Sequence, residues 1–162
     1  MINENEFVQL IQENDRIIHK VVGLYADTAE DKKDLYQETL LQLWKSAKNF
    51  RGDASFSTFM YKVALNVALG FNKKSKRMQT TDLDSAKDLS TSVSDKEDYE
   101  ILYLIIKSLV ETDRMIITLH LDGYKNKEVA EIIGMTTNNV NVKIHRIKQT
   151  ITHEFKKVNH GY

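Results

Sequence analysis

The 162-residue chain contains neither cysteine nor proline, and its 23 basic side chains are balanced by 23 acidic ones. The absence of cysteine excludes disulfides, thiolate metal sites and thiol nucleophiles, and it favours a reducing compartment. The longest apolar stretches, residues 101–106 and residues 63–69 with Asn66 interrupting them, are far shorter than the roughly 20 residues that cross a bilayer. The N-terminus has acids where a secretory signal has lysines. We therefore expect a cytoplasmic protein without membrane insertion.

Charge is unevenly distributed along the chain although its sum is zero. Five basic residues and no acid lie within 62–77, whereas seven acids and two lysines lie within 79–100. From residue 141 to the C-terminus, five basic residues are opposed by one acid. Separated basic patches are typical of phosphate-binding surfaces, although a solvated helix face explains any single patch as well.

Apolar residues recur three and four positions apart through most of the chain, and strand-like alternation is absent, so we predict an all-α protein. Large apolar side chains are scarce in residues 79–97, which indicates a linker that cannot bury enough surface to become ordered. The linker would separate two small helical domains, residues 1–78 and 98–162. In the first domain we expect helices over about residues 5–24, 28–49 and 56–74, with Asp27 or Thr28 and then Ser55 as N-caps.

The spacing also predicts which side chains face the core. For the second helix, the predicted buried stripe is Tyr36, Leu40, Leu43, Trp44 and Ala47. For the third helix it is Phe56, Phe59, Met60, Val63 and Val67. Opposite that third-helix stripe lie Thr58, Tyr61, Leu65 and Leu69, so this helix is either central in a bundle or binds a partner. In the second domain Thr112 is predicted to cap a short helix that stops near Gly123.

Residues 126–151 have the spacing of a helix-turn-helix. Ala130 is small where two helices approach closely, Gly134 lies at the turn, and Thr136 is predicted to cap the second helix. The predicted buried stripe of that helix is Val140, Ile144, Ile147 and Ile151. Its other faces carry Asn, His, Arg, Lys, Gln and Val side chains, which can bond base edges, pack on a thymine methyl or neutralise phosphate.

Three segments resemble bacterial RNA polymerase sigma factors of the extracytoplasmic-function group, within the sigma-70 family. Residues 34–53 (DLYQE, LW and FRGD) resemble the family's segment that binds the clamp helices of core polymerase. Residues 55–68 (SFSTFMYKVALNVA) resemble its promoter-melting and −10 segment, and residues 126–151 resemble its −35-binding domain. The three matches occur in the family's order and cover most of the chain outside the linker and the two ends.

The resemblance implies a set of contact residues. The predicted contacts with core polymerase are Asp34, Gln37, Glu38, Leu41 and Trp44, although Trp44 is equally well explained as a core residue. The predicted contacts with the −10 strand are Gly52, Asp53, Ala54, Ser55, Phe56, Tyr61, Lys62, Asn66 and Lys73. In that set residues 52–56 receive a flipped base with Asn66 nearby, while Tyr61 and the lysines offer an aromatic and cationic surface. The predicted contacts with the −35 duplex are Thr137, Asn138, Asn139, Asn141, Val142, Lys143, His145, Arg146 and Gln149.

By the same resemblance, the protein is a non-catalytic specificity subunit with no cofactor and no metal. Its partners are core RNA polymerase, promoter DNA and an anti-sigma factor. The acidic linker is expected to pass near the polymerase active site. The chain departs from the family pattern at Phe59, where tryptophan is usual, and at Val110 and Glu111, where a proline precedes the helix. Asn141 and Val142 replace the common Lys or Arg and Ser, so the promoter preference is expected to be atypical.

Three other classes of protein fit the sequence less well. A helix-turn-helix repressor or activator would bind palindromic half-sites as a dimer, but its sensor domain has no reason to carry the segments at residues 34–53 and 55–68. An enzyme is disfavoured because no metal-ligand cluster, phosphate loop or nucleophile motif occurs and the five histidines are scattered. A helical protein-binding scaffold would leave the helix-turn-helix spacing unexplained.

Overall fold

The computed structural model describes residues 2–78 and 95–160, with side chains described for residues 2–74 and 97–160. Within these ranges the chain is helical and has no strand, which confirms the predicted all-α class. The helices are α1 (Glu4–Tyr25), α2 (Ala29–Ser46), a 3-10 turn (Ala47–Asn49), α3 (Phe56–Met78), α4 (Asp95–Ser108), α5 (Glu111–Leu121), α6 (Asn126–Ile133) and α7 (Thr137–His160). They divide into two compact units, α1–α3 and α4–α7. Most of the predicted linker, residues 79–94, lies outside the described residues.

The first unit begins with two capped helices. The Asn3 side chain accepts a hydrogen bond from the Glu6 backbone N–H at 2.9 Å, and the Glu6 carboxylate accepts one from the Asn3 N–H at 3.1 Å. Thr28 Oγ1 accepts a hydrogen bond from the Asp31 N–H at 3.0 Å. These caps satisfy backbone donors that have no partner inside the helix, and Thr28 rather than Asp27 is the N-cap of α2.

Helix α3 packs against both α1 and α2, and these two contacts are the most extensive of the first unit. This arrangement explains why α3 is apolar on two faces. Tyr61 and Leu65, predicted to lie opposite the core, are each only 1% exposed. Their burial confirms the predicted alternative in which α3 is central in a bundle. Val63 and Val67, predicted in the core, are half-buried.

The buried side of α2 agrees with the predicted stripe only at Leu43 and Ala47. Leu35, Thr39 and Leu43 are all fully buried and lie four residues apart on one face. The Thr39 hydroxyl donates to the Leu35 carbonyl at 2.7 Å, which allows a polar side chain to be buried there. Trp44 is 49% exposed, so its predicted place in the core was wrong. Tyr36 and Leu40 are half-buried, whereas Ala47 is buried as expected.

In the second unit α5 packs against α4, α6 and α7, and its central residues 115–119 are all buried. The helix begins at Glu111 after Val110, and no side chain caps it. The predicted cap at Thr112 is therefore wrong. Glu111 and Asp113 lie in the first turn, where negative charge favours the positive end of the helix dipole.

Helices α6 and α7 form the helix-turn-helix. Gly134 ends α6 at φ +79°, a left-handed conformation that side chains rarely adopt, and the N–H groups of Gly134 and Met135 both donate to the Ala130 carbonyl. Thr136 Oγ1 accepts a hydrogen bond from the Asn139 N–H at 3.2 Å, which confirms it as the cap of α7. The buried side chains between the two helices include Val129, Ala130, Ile132, Val140, Ile144 and Ile147, while Ile151 is half-buried.

None of the helices in the described ranges is both long and apolar enough to cross a membrane.

Candidate functional site

One face of α7 is polar and exposed over about three turns. Because residues three, four, seven and eleven positions apart share a side of an α-helix, the members of this face point in one direction. We call it the α7 face; it consists of Asn138, Val142, His145, Arg146 and Gln149, all of which are exposed. Within the part of the chain that the structure describes, their side chains form no ion pair and no hydrogen bond with one another or with other helices. They are therefore available to a ligand. Thr137 and Asn139, at the N-terminal end of α7, are exposed as well.

The two remaining predicted α7 contacts, on the flanks of this face, are each bonded to a neighbouring helix. Asn141 Oδ1 accepts a hydrogen bond from Asn126 Nδ2, at the start of α6, at 2.6 Å. Lys143 Nζ lies 2.8 Å from Asp113 Oδ1 on α5. Lys143 is consequently half-buried, and part of its charge is already neutralised within the protein.

On α2 the structure places the predicted polymerase contacts together on the surface. Asp34, Gln37, Glu38 and Leu41 are exposed, and so is half of the Trp44 side chain. The Trp44 ring packs edge-on against Phe7 of α1, with ring centroids 5.1 Å apart. Leu41 is 46% exposed, so this α2 face combines acids with two large apolar groups that solvent reaches. Such a combination is typical of a protein-binding surface.

The loop between α2 and α3 is held at both ends by aromatic rings. Phe50 and Phe56 pack edge-to-face at 5.5 Å, and Phe56 also contacts Phe7 and Phe59. Between these anchors residues 51–55 are exposed, and Gly52 takes a left-handed φ of +79°. Phe56 is only 7% exposed, so the prediction that it contacts the −10 DNA strand directly was wrong. Its buried ring instead anchors the end of the loop by packing against Phe50.

The Ser55 hydroxyl joins this loop to α3. Ser55 Oγ accepts a hydrogen bond from the Thr58 backbone N–H at 3.2 Å and lies 2.9 Å from the hydroxyls of Ser57 and Thr58. Its predicted role as the N-cap of α3 is confirmed. Ser55 therefore sets the direction in which the chain leaves the exposed tip at Gly52, Asp53 and Ala54.

Three polar side chains form an exposed stripe on α3. Lys62, Asn66 and Lys73 are four and seven residues apart along the helix, and all three are exposed. Tyr61 was predicted to add an aromatic group to this surface, but it is 1% exposed because it faces the core of the unit. That prediction was wrong. Asn66 was expected to lie near the loop of residues 52–56. It is ten residues beyond Phe56, about 15 Å along the helix axis, so this expectation was wrong.

A groove of about 950 Å³ runs between α2 and α3. One wall carries Asp31, Asp34 and Glu38, and the opposite side carries Asn66 and Lys74 over apolar side chains that include Phe71. The structure thus brings a predicted strand contact, Asn66, to the same groove as two predicted polymerase contacts. Three carboxylates on one wall make this groove unfavourable for a phosphate backbone.

A polar cluster joins α1 to α2. The Tyr36 hydroxyl donates to Asp15 Oδ1 at 2.7 Å, His19 Nε2 lies 2.8 Å from Asp15 Oδ2, and the His19 and Tyr36 rings are stacked. The hydrogen bond to Asp15, together with burial and the carboxylate charge, raises the pKa of Tyr36 from 10.0 to about 12. In the described ranges no group of three or more His, Cys, Asp or Glu side chains is placed to hold a metal ion.

Two residues that matter for the α7 flanks were missed by the sequence analysis. Asp113 and Lys143 are 30 residues apart, and no local spacing rule connects them. Asn126 was identified only as the start of the helix-turn-helix stretch, and its bond to Asn141 depends on how α6 crosses α7. Such contacts between helices carry no periodic signal in the sequence.

Comparison with protein-family models shows two matches. Residues 10–78 match sigma-70 region 2, and residues 99–151 match sigma-70 region 4. These ranges cover most of α1, all of α2 and α3, and most of α4–α7.

Related proteins match most of the chain. The chain is 29% identical over 154 residues to the ECF RNA polymerase sigma-E factor of Escherichia coli K12, covering 84% of this chain and 81% of the relative. It is 22% identical over 156 residues to the ECF RNA polymerase sigma factor SigM of Mycobacterium tuberculosis, covering 96% of this chain and 80% of that protein.

Two solved structures share the fold. One is the sigma factor RpoE of Bartonella quintana in complex with the anti-sigma factor NepR, at a TM-score of 0.74 and 15% identity, covering 93% of this chain and 97% of that one. The other is CnrH in complex with the cytosolic domain of CnrY, at a TM-score of 0.67 and 16% identity, covering 93% and 88% of the two chains. With sigma regions 2 and 4 matched in order, the chain belongs to the extracytoplasmic-function group of sigma-70 RNA polymerase sigma factors, which are DNA-binding helix-turn-helix proteins of transcription initiation.

Proposed function

We propose that this sigma factor directs core RNA polymerase to promoters by reading a −35 duplex with α7 and capturing a −10 strand with the α2–α3 loop and α3. The observation that carries the proposal is the α7 face. Its exposed side chains have no side-chain partner among the residues that the structure describes, and they suit base edges and phosphates. An α-helix of this width fits the major groove of B-DNA. The chain itself performs no catalysis, and core polymerase supplies the chemistry in the cytoplasm.

Within the α7 face each side chain has a distinct contact chemistry. Arg146 can donate two hydrogen bonds to guanine, and Asn138 or Gln149 can bond both edge groups of adenine. Val142, 44% exposed, supplies an apolar contact for a thymine methyl group. Thr137 and Asn139 lie beside the N-terminus of α7, where backbone N–H groups favour a phosphate. Lys143 and His145 complete the proposed set.

The proposed −10 site has two parts. The exposed tip at residues 52–55 accepts a base that has left the duplex, which costs a few kcal/mol of stacking and pairing energy. The stripe of Lys62, Asn66 and Lys73 supplies positive charge and a hydrogen-bonding amide for the neighbouring strand. Since the tip and Asn66 are separated by about ten helical residues, different nucleotides occupy the two parts.

The proposed polymerase site is the α2 face made of Asp34, Gln37, Glu38, Leu41 and Trp44. Half-exposed Trp44 and Leu41 are the apolar anchors, and aromatic anchors of this kind often carry most of the binding energy of an interface. The carboxylates then favour a basic partner surface. An anti-sigma factor is proposed as a further partner because the neighbouring structure of the Bartonella quintana sigma factor RpoE holds it in complex with an anti-sigma factor.

We infer the boundaries of the functional parts from the same resemblance: a region 2 domain at residues 1–78, a linker at 79–97 and a region 4 domain at 98–162. Helix α4 begins within the proposed linker, at Asp95. The acids Asp82, Asp84 and Asp88 lie outside the described residues. Their replacement by Asn tests whether the linker acts in the polymerase: initiation should change while binding to core enzyme stays near normal, and unchanged initiation would contradict the linker proposal.

The direct test is transcription by core RNA polymerase from the source organism on fragmented genomic DNA, with and without this protein. Mapped 5′ ends that appear only with the protein, and that share two spaced upstream motifs, support the proposal. A DNA footprint by the free protein without stimulated transcription would favour an ordinary repressor or activator.

A further inference from the structure

The hydrogen bond between Asn126 and Asn141 links the first residue of α6 to the flank of the α7 face. Asn126 Nδ2 donates to Asn141 Oδ1 at 2.6 Å, across 15 residues of sequence. Asn141 is exposed, and Asn126 is partly exposed. The core between the two helices is built from other residues, such as Val129, Ala130 and Val140. The fold therefore does not depend on this bond, and its consequence is the orientation of one amide.

An asparagine amide has two chemically different ends, an oxygen that accepts hydrogen bonds and an NH₂ group that donates them. Reading adenine uses both ends at once, since the oxygen accepts from N6 and the NH₂ donates to N7. The bond from Asn126 turns the oxygen of Asn141 toward α6, so the NH₂ group is the end directed away from α6. Asn141 then presents donors to a ligand beside the α7 face.

We propose that Asn126 is a specificity-determining positioning residue, which holds the Asn141 amide so that its NH₂ group reads a hydrogen-bond acceptor on a base edge. Guanine (N7 and O6), thymine (O4) and adenine (N7) provide such acceptors in the major groove, whereas cytosine offers only its N4 donor. The position read by Asn141 consequently prefers guanine over cytosine. This inference rests on the proposed function, in which α7 lies in the major groove of the −35 element.

The substitution Asn126→Asp reverses the hydrogen-bond polarity with little change in shape. A carboxylate accepts hydrogen bonds and cannot donate them when ionised, so it must be paired with the Asn141 NH₂ group. The amide then turns over, and its oxygen is the end directed away from α6. The base preferred at this position should change from guanine to cytosine, whose N4 group donates.

The experiment uses the holoenzyme on a promoter library in which each base of the −35 element is randomised. Transcripts carrying sequence tags give the base preference at every position for the wild-type protein and for Asn126→Asp. We expect the guanine-to-cytosine ratio to fall about fivefold or more at one position, with the ratios at other positions unchanged. The control is the same substitution in an Asn141→Ala background, where the ratio at that position should not respond to Asn126→Asp.

Each outcome separates this inference from the proposed function. If the wild-type holoenzyme selects no −35 sequence, the proposed function fails. If it selects a sequence and Asn126→Asp leaves all base ratios unchanged, only the role of Asn126 is overturned. A uniform loss of transcription with unchanged base ratios would indicate that the Asn141 NH₂ group contacts a phosphate. This result would also overturn the role of Asn126. A change that persists in the Asn141→Ala background would show that the added charge acts on DNA without Asn141, and this result would also overturn the role of Asn126.

Discussion

Lys143 on α7 forms a 2.8 Å ion pair with Asp113 on α5. The pair ties a positive charge of the proposed DNA-reading helix to a carboxylate of the same protein. The two side chains are 34% and 25% exposed, so solvent partly screens the pair, and we expect it to contribute less than about 1 kcal/mol to folding. Its greater effect is on the charge available to DNA. A lysine paired with a carboxylate attracts a phosphate less strongly than a free lysine.

The first prediction follows from this pair. Asp113→Asn should release Lys143 and tighten promoter binding by the holoenzyme, because one more cation can neutralise a phosphate. The slope of log affinity against log salt concentration should steepen by about 1. Binding titrations at several salt concentrations measure this slope. In a Lys143→Gln background, Asp113→Asn should not steepen it, and an equal steepening there would contradict the role given to Lys143.

The second prediction concerns the α2 face. Trp44→Ala should weaken binding to core RNA polymerase about tenfold or more, because a half-exposed aromatic anchor is lost. Affinity for core enzyme can be measured by competition with a labelled sigma factor. Lys45→Ala, at the neighbouring exposed position, serves as the matched control and should bind nearly as the wild type does. If the two variants bind equally well, Trp44 is not part of the polymerase site. Circular dichroism checks that each variant is folded.

The third prediction tests the cap that joins the loop to α3. Ser55→Ala should lower the free energy of unfolding of the first unit by about 1 kcal/mol, because the Thr58 N–H loses its acceptor. For a domain of this size the melting temperature should fall by about 4–8 °C. The chain has one tryptophan, Trp44, so its fluorescence reports on this unit.

A matched variant separates the cap from the other interactions of Ser55. Ser55→Asp supplies another side-chain acceptor and should recover most of the stability that Ser55→Ala loses. The added charge should nevertheless weaken −10 strand capture, since it lies at the proposed strand-binding tip. Equal melting temperatures for Ser55→Ala and the wild type would show that the cap contributes little.

The fourth prediction is a pH dependence from Tyr36. Because its pKa in the folded protein, about 12, lies above the ordinary 10.0, folding favours the protonated hydroxyl that donates to Asp15. This stabilisation is fully present below pH 10 and is lost as the pH rises from 10 to about 12. Urea unfolding at pH 9, 10 and 11.5 should therefore show that the difference in stability between wild type and Tyr36→Phe shrinks with rising pH. A constant difference would contradict the raised pKa.

Much of the fold was predictable because helical periodicity and capping residues are local. Thr28, Ser55 and Thr136 all cap the helices that their positions indicated, and Gly134 ends α6 in a left-handed conformation. The errors arose where several helices meet. Tyr61 was placed on the surface because periodicity alone cannot show that α3 is covered on two sides.

The candidate site was predictable only in part for the same reason. Helix faces can be read from residue spacing, so the exposed α7 face and the α2 acids were identified. The side chains that restrain Asn141 and Lys143 come from other helices, and a sequence shows no spacing for such contacts. Trp44 was ambiguous because a tryptophan at helical spacing suits a core as well as an interface. Its exposure of 49% favours the interface.

The most direct test of the central claim is promoter-selective initiation on genomic DNA by core RNA polymerase with and without this protein, read as mapped 5′ ends. We predict new start sites with two conserved upstream motifs, lost when Arg146→Ala and Gln149→Ala are combined, although that variant still binds core enzyme. Start sites that are identical with and without the protein, under conditions in which the protein is bound to core polymerase, would contradict the account.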